Sequence, residues 1–179
     1  MKTIVVTGTH AVGKTMLCNH LAKTLSGAID VKIIPEMARI LIAKGISMND
    51  KASELGIVSY ISEYLKYTRE TKASLIVSDR SVFDLFAYIS VSRPDDVREE
   101  FLRLTEEIVF QEVRRVDAYV YVPIEFEMQR DDVRPANIEY QRTVDLKVRD
   151  LLKFFEATVL TVSGTVEERV ASVKRWLNV

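Results

Sequence analysis

The sequence predicts an α/β fold: a five-stranded parallel sheet flanked by helices on both faces. Three observations predict it. Short apolar runs alternate with segments of helical period along the whole chain. Those runs are predominantly apolar rather than polar-apolar repeats, as strands covered on both faces are. The chain of 179 residues, 47% apolar and 28% charged, suits one compact domain spanning residues 1–179.

Each element has its own warrant. Ile4-Val5-Val6 is a β-branched run that reaches Gly8, and Lys14 to Leu25 follows with Leu17, Leu21 and Leu25 at four-residue spacing: strand, turn, helix. Val31 to Ile34 reads as a second strand stopped by Pro35, and Met37 to Ala43 as a short helix. Ser53 to Lys72 reads as a helix with Leu55, Val58, Ile61 and Leu65 on its apolar face. Leu75-Ile76-Val77 is a third strand ending at Asp79-Arg80, followed by a helix from about Val82 to Val91. After Arg93-Pro94 another helix is expected from about Asp95 to Arg115. Ala118 to Val122 is a fourth strand, Ile138 to Glu156 a helix, and Val159 to Val162 a fifth strand. Thr165 then caps a last helix to Leu177, with Glu168 three residues on. The segment 125–137, charged and broken by Pro135, matches no regular element; it is either a surface loop or an arginine-containing lid.

Composition excludes several classes. A net charge of −1 gives no overall basic footprint for nucleic acid. Cys18 is the single cysteine, which excludes an intrachain disulfide and a cysteine-based zinc site. No apolar run reaches the about 20 residues needed to span a bilayer, and the N-terminus lacks the apolar stretch of a signal peptide, so a soluble, cytoplasmic protein without membrane attachment is expected.

Ligands of parallel sheets bind beyond the carboxyl ends of the strands, and the most specific motif lies there. Gly8-Thr9-His10-Ala11-Val12-Gly13-Lys14-Thr15 satisfies G-x-x-x-x-G-K-[ST] between a strand and a helix, the signature of a phosphate-binding P-loop. Its glycines let backbone N–H groups curl round a phosphate, Lys14 reaches terminal phosphates, and the Thr15 hydroxyl suits magnesium. His10 is expected to be a tolerated surface residue of this loop, His20 an ordinary helix residue and Cys18 a small core side chain. The chain has no Asn-Lys-x-Asp guanine signature and no apolar strand ending in Asp-Glu. That leaves small-molecule kinases of the P-loop class.

Four stretches carry a resemblance: the loop itself; Pro35-Glu36-Met37-Ala38-Arg39; Asp79-Arg80-Ser81-Val82-Phe83-Asp84-Leu85-Phe86-Ala87-Tyr88; and Asp131-Asp132-Val133-Arg134. Together they resemble the Glu-x-Ala-Arg, Asp-Arg-x-x-x-Asp-x-x-Ala-Tyr and Asp-Gly-x-Arg patterns of the small P-loop kinases. These are the kinases related to the ribosylnicotinamide kinase domain and grouped under the AAA_28 domain, with thymidylate and deoxynucleoside kinases more distant. Asp132 stands where the pattern has Gly. The resemblance implies a P-loop NTPase fold and transfer of the γ-phosphoryl of ATP, with Mg2+, to a nucleoside, nucleotide or similar small acceptor. It further implies a nucleotide cradle of Gly8, His10, Ala11, Val12, Gly13, Lys14, Thr15 and Met16, joined by Arg130 of the lid. Lys14, Glu36, Asp79, Arg80 and Arg134 are the implied catalytic residues, and Glu36, Arg39, Arg80 and Asp84 the acceptor-binding set. Thr15, and Asp79 through water, would hold the metal.

Chemistry leaves some roles open. Glu36 either takes the acceptor's proton or serves its own helix and Arg39; Glu36 and Asp79 both stand as candidate general bases. Arg80 and Asp84 either meet the substrates or pair with one another. Arg130, Arg134 and Arg142 either fork onto phosphates or pair with Asp131, Asp132 and Asp145. Tyr60, Tyr64 and Tyr67, at helical spacing, either stack on a base or pack a helix, and Ser163-Gly164-Thr165 is where related kinases meet adenine by backbone. Two further functions fit the same loop: a kinase acting on a nucleic-acid base or end, and a nucleotide-sensing module that transfers nothing. A homodimer is compatible with all three.

Overall fold

Ile4, Val5 and Val6 are all fully buried, although successive strand residues face opposite sides, so the sheet is covered on both faces. The computed structural model describes residues 1–48, 52–125 and 137–179. The chain runs β1 (Lys2–Thr7), α1 (Lys14–Leu25), β2 (Val31–Ile34), α2 (Met37–Ala43), α3 (Glu54–Glu70) and β3 (Leu75–Asp79). It continues through α4 (Val82–Ser92), α5 (Glu99–Val113), β4 (Ala118–Tyr121), α6 (Ile138–Phe154), β5 (Val159–Thr161) and α7 (Val166–Leu177). The five strands lie in the order β2-β3-β1-β4-β5, and every pairing is parallel. This is the five-stranded α/β fold the alternation predicts.

Two cores follow from the alternation. Ile4, Val6, Val77 and Val120 turn to one face and pack against Leu17, Leu21 and Leu25 of α1 and Val170, Val173 and Leu177 of α7. Val5, Ile76 and Tyr119 turn to the other, beneath α2 to α6. β1 lies between β3 and β4, with Val6 opposite Asp79 and Thr7 opposite Tyr121. The chain thus leaves β1 in both directions across the sheet, and the crevice of such a reversal opens at the carboxyl ends of these strands.

Two expectations need correction. The apolar face assigned to α3 is rotated: Leu55 and Val58 are exposed, and Ile57, Tyr60, Ile61 and Tyr64 are buried. The two tyrosines carry more apolar area than the aliphatic pair, and the Tyr60 hydroxyl donates to the Ser81 carbonyl at 3.1 Å, which fixes that face inward. Tyr60 and Tyr64 are therefore helix packing. α5 starts at Glu99 rather than near Asp95, because Val97 N–H bonds to the Pro94 carbonyl in a turn and Arg98 takes the N-cap position, tied by two side-chain bonds of 2.9 Å to Glu54. Among the described residues no helix is long and apolar enough to cross a membrane.

Candidate functional site

The loop between β1 and α1 is shaped by backbone conformations that ordinary residues resist. Gly8 has φ +134°, and a Cβ there would lie 2.5 Å from the Val122 carbonyl oxygen; Gly13 has φ +88°. Ala11, at φ 60°, takes the left-handed conformation without being glycine. Gly13 is the N-cap of α1, with no side-chain cap and no acidic residue in the first turn. The helix N-terminus therefore keeps its N–H groups and its positive end for a ligand.

Lys14 is folded back into this loop. Only 5% exposed, its Nζ donates to the Thr9 carbonyl. Burial, and then the charge of Arg80, bring its pKa down to about 7 against the pull of Asp84, Asp79 and Glu36. Thr15 Oγ1 donates to Asp79 Oδ2 at 2.6 Å across the crevice. Asp79 Oδ1 is buried with no hydrogen-bond partner among the described residues. An all-oxygen pair with one unsatisfied carboxylate oxygen fits a hard divalent cation such as Mg2+ that keeps most of its waters.

At the end of β2, Glu36 accepts from Arg39 Nε at 2.7 Å and pairs with Arg80 Nε at 2.9 Å, so both its oxygens face cations. Burial pushes the Glu36 carboxyl up, but Arg80, Lys14 and Arg39 together carry it below its ordinary value. Arg80 follows β3 with φ 72°, a strained conformation for a side chain of its size. Its guanidinium lies 5.1 Å from the centre of the Tyr88 ring and reaches the Gly8 carbonyl at 3.5 Å. Asp84 stands behind it, 4.0 Å away, accepting from Thr7 Oγ1 at 2.8 Å and from Ser81 N–H at 3.0 Å as half of the α4 capping box. Burial raises the Asp84 pKa in spite of Arg80 and Lys14.

Comparison with known proteins bears on the family and the fold. The family model for the AAA domain AAA_28 matches residues 3–169. The chain belongs to the AAA_28 family. A search of the curated proteins finds no match. Among solved structures, NadR protein in complex with NR is similar at 18% identity and TM-score 0.78, over 99% of this chain and 52% of that one. NadR in complex with NAD and AMP-PNP gives 17% and 0.73, over 99% and 50%. The chain thus spans about half the length of these two. Deoxyadenosine kinase from M. mycoides, with products dCMP and dCDP bound, gives 15% and 0.66 over 98% of each chain. At these identities the likenesses establish a shared α/β fold and nothing beyond it.

Within this AAA_28 domain, Lys14, Thr15, Glu36, Asp79, Arg80 and Asp84 converge, and Arg39, 64% exposed at its side chain, forms the rim beside Glu36. Met16 is exposed on α1, and Arg142 lies exposed on α6. Arg130 and Arg134, with Asp131 and Asp132, lie outside the described residues, as does most of the expected lid. His10 corrects the sequence reading: it is 7% exposed rather than a surface residue. Its ring sits 6.3 Å from Tyr88 and 6.0 Å from Tyr140 between centroids, with Nδ1 3.3 Å from the Tyr88 hydroxyl. Cys18 is buried as expected, and His20 is exposed on α1.

Sequence reasoning missed Arg169 and Gln141. Arg169 is 6% exposed; it donates to the Val12 carbonyl at 2.8 Å, the Gly164 carbonyl at 3.0 Å and Glu125 Oε2 at 2.7 Å. Gln141, 2% exposed, donates to the His10 carbonyl at 2.9 Å. Neither lies in a motif, and only an arginine breaking the apolar face of α7 hinted at the first. After β5, the Gly164 N–H is taken by the Glu125 carboxylate at 3.0 Å, and the Thr165 hydroxyl caps α7.

Proposed function

We propose that this protein is an ATP-dependent phosphotransferase that moves the γ-phosphoryl to a hydroxyl or phosphate of a nucleoside, nucleotide or related small acceptor. One observation carries the reading: Lys14, the Thr15–Asp79 pair and the Glu36–Arg80 pair converge at the carboxyl ends of β1, β2 and β3. Phosphoryl transfer needs positioning and charge neutralisation, and these groups supply both. The triphosphate lies along residues 8–15, where backbone N–H groups and the α1 N-terminus meet its charge. Mg2+, held by Thr15 and through water by Asp79, neutralises charge on the phosphates when bound. Lys14 turns from the Thr9 carbonyl to the γ-phosphate, whose charge restores its ammonium.

Glu36 is the better placed of the two candidate bases: Asp79 lies deep beside Thr15, where the metal would sit, whereas Glu36 stands next to the exposed, displaceable Arg39. Arg39, mostly solvent-exposed, gives way to the acceptor hydroxyl, and Glu36 Oε2 takes that proton. As it does so, the acceptor oxygen bonds to the γ-phosphorus, the bond from that phosphorus to the β,γ-bridging oxygen breaks, and ADP leaves. Arg80, locked between Glu36, Asp84 and Tyr88, presents its charge to the transferring group without reorganising. From the segment outside the described residues, Arg130 and Arg134 supply further cations to the phosphates.

The test is ADP release with product analysis against a panel of nucleosides, nucleotides and oligonucleotides, with Lys14→Ala as control. A phosphorylated small acceptor, lost in a folded Lys14→Ala protein, supports the reading. Full turnover in that variant sinks it. Nucleotide binding without any phosphorylated product would turn the assignment to a sensing module, and salt-sensitive phosphorylation of oligonucleotides alone to a nucleic-acid kinase.

A further inference from the structure

We infer that Arg169 and Gln141 are positioning residues for the phosphate loop: by gripping the Val12 and His10 carbonyls from outside, they turn the Gly13 and Ala11 N–H groups toward the phosphates. The inference rests on the nucleotide reading above. A trans peptide unit is planar, so its C=O and the following N–H point in opposite directions. Whatever holds the Val12 carbonyl therefore sets the direction of the Gly13 N–H, and whatever holds the His10 carbonyl sets that of Ala11. Arg169 Nη1 does the first at 2.8 Å and Gln141 Nε2 the second at 2.9 Å.

The loop needs such outside help. Gly13, at φ +88°, has the least steric resistance to a peptide flip, and Ala11, at φ 60°, sits in a conformation that costs a non-glycine residue. A flipped Val12–Gly13 unit would point a carbonyl oxygen at a phosphate instead of a donor. Lys14 holds a third carbonyl, that of Thr9, only while its ammonium is not on a phosphate. The two long-range grips have no such competing duty.

Both grips are built as buried, satisfied contacts. Arg169 Nε goes to the Gly164 carbonyl and Nη2 to Glu125, leaving Nη1 fixed against Val12. A Cβ on Gly13 would lie 3.4 Å from Nη1, so the guanidinium sits flush against this peptide. Gln141 is doubled by its own backbone carbonyl, which accepts from Thr9 Oγ1 at 3.0 Å. The grips come from α7 and α6, separated from their partners by 157 and 131 residues.

The experiment titrates wild type, Arg169→Gln, Arg169→Lys and Gln141→Met with Mg·ATP by calorimetry, and measures hydrogen exchange in each ligand-free protein. The expected result is at least a tenfold weaker Mg·ATP affinity for Arg169→Gln and for Gln141→Met, in line with a lost bond that orients a charged contact. Arg169→Lys should recover part of the loss, since it keeps one donor. Exchange should quicken in residues 9–13 while the core of α1 keeps its protection. Folded variants with wild-type affinity overturn the inference, and so does a loss of affinity accompanied by loss of protection throughout α1, α6 and α7, which marks a merely structural role. In both cases the nucleotide reading survives. Wild type that fails to bind Mg·ATP overturns both together.

Discussion

Replacing Gly8 by alanine tests the loop's geometry directly. The new Cβ would stand 2.5 Å from the Val122 carbonyl oxygen, whereas an unstrained contact needs about 3.5 Å, so the chain after β4 must retreat by roughly 1 Å. That retreat strains the bond from Val122 N–H to the Thr7 carbonyl, now 3.0 Å, which joins the ends of β4 and β1. Its weakening costs about 1 kcal/mol. The φ of +134° adds about 1–3 kcal/mol for any residue with a Cβ. The sum, about 3 kcal/mol, corresponds to a fall of about 6–12 °C in Tm for a chain of this size. Gly27→Ala is the matched control, because among the described residues nothing lies within 4 Å of its added Cβ. Thermal unfolding followed by circular dichroism should separate the two variants, with Gly27→Ala within about 2 °C of wild type. A Gly8→Ala protein that melts with its control would refute the claim that this glycine exists to let β4 approach the loop.

Further expectations concern the charged groups. Glu36→Gln keeps the shape but cannot take a proton, so kcat should fall by about 10²–10⁴-fold while ATP affinity barely changes; a rate within about twofold of wild type would leave Glu36 only as a partner of Arg39 and Arg80. Lys14 titrates near 7 when folded and at its ordinary 10.5 when unfolded. Between these values the unfolded chain binds the extra proton, so the ligand-free protein should gain stability as pH rises from 7 to 9, by about 2 kcal/mol relative to Lys14→Met in denaturant titrations. A pH-independent difference between the two proteins would contradict this. Burial, and then Asp79, push the Cys18 thiol well above its ordinary value, so thiol reagents should label native protein much more slowly than unfolded protein. Rapid native labelling would show that α1 opens locally.

The local signals proved the most legible in the sequence. A β-branched run, a glycine loop with Lys14 and Thr15, and Pro35 after Val31–Ile34 each act over a few residues, so strand, turn and helix could be read where they stand. α1, β2 and α2 begin and end where that reading places them. The alternation also pointed to a parallel sheet, because apolar runs such as Ile4-Val5-Val6 in β1 require cover on both sides. Which face of α3 turns inward was not legible, since Leu55 and Val58 compete with Tyr60 and Tyr64 on period alone, and packing beneath Ser81 decided it. His10 read as a loop surface residue because burial by Tyr88 and Tyr140 comes from α4 and α6, far along the chain. The sequence by itself determined the elements, their parallel order of use and the residue types at the strand ends. Only the tertiary structure decided that Glu36 joins Arg80 rather than Arg39 alone, that one Asp79 oxygen has no partner among the described residues, and that Arg169 and Gln141 reach the loop from α7 and α6. The physical reason is the same in each case: the energy of a buried charge or carbonyl is set by whichever partner the fold brings to it, and sequence separation carries no record of that partner.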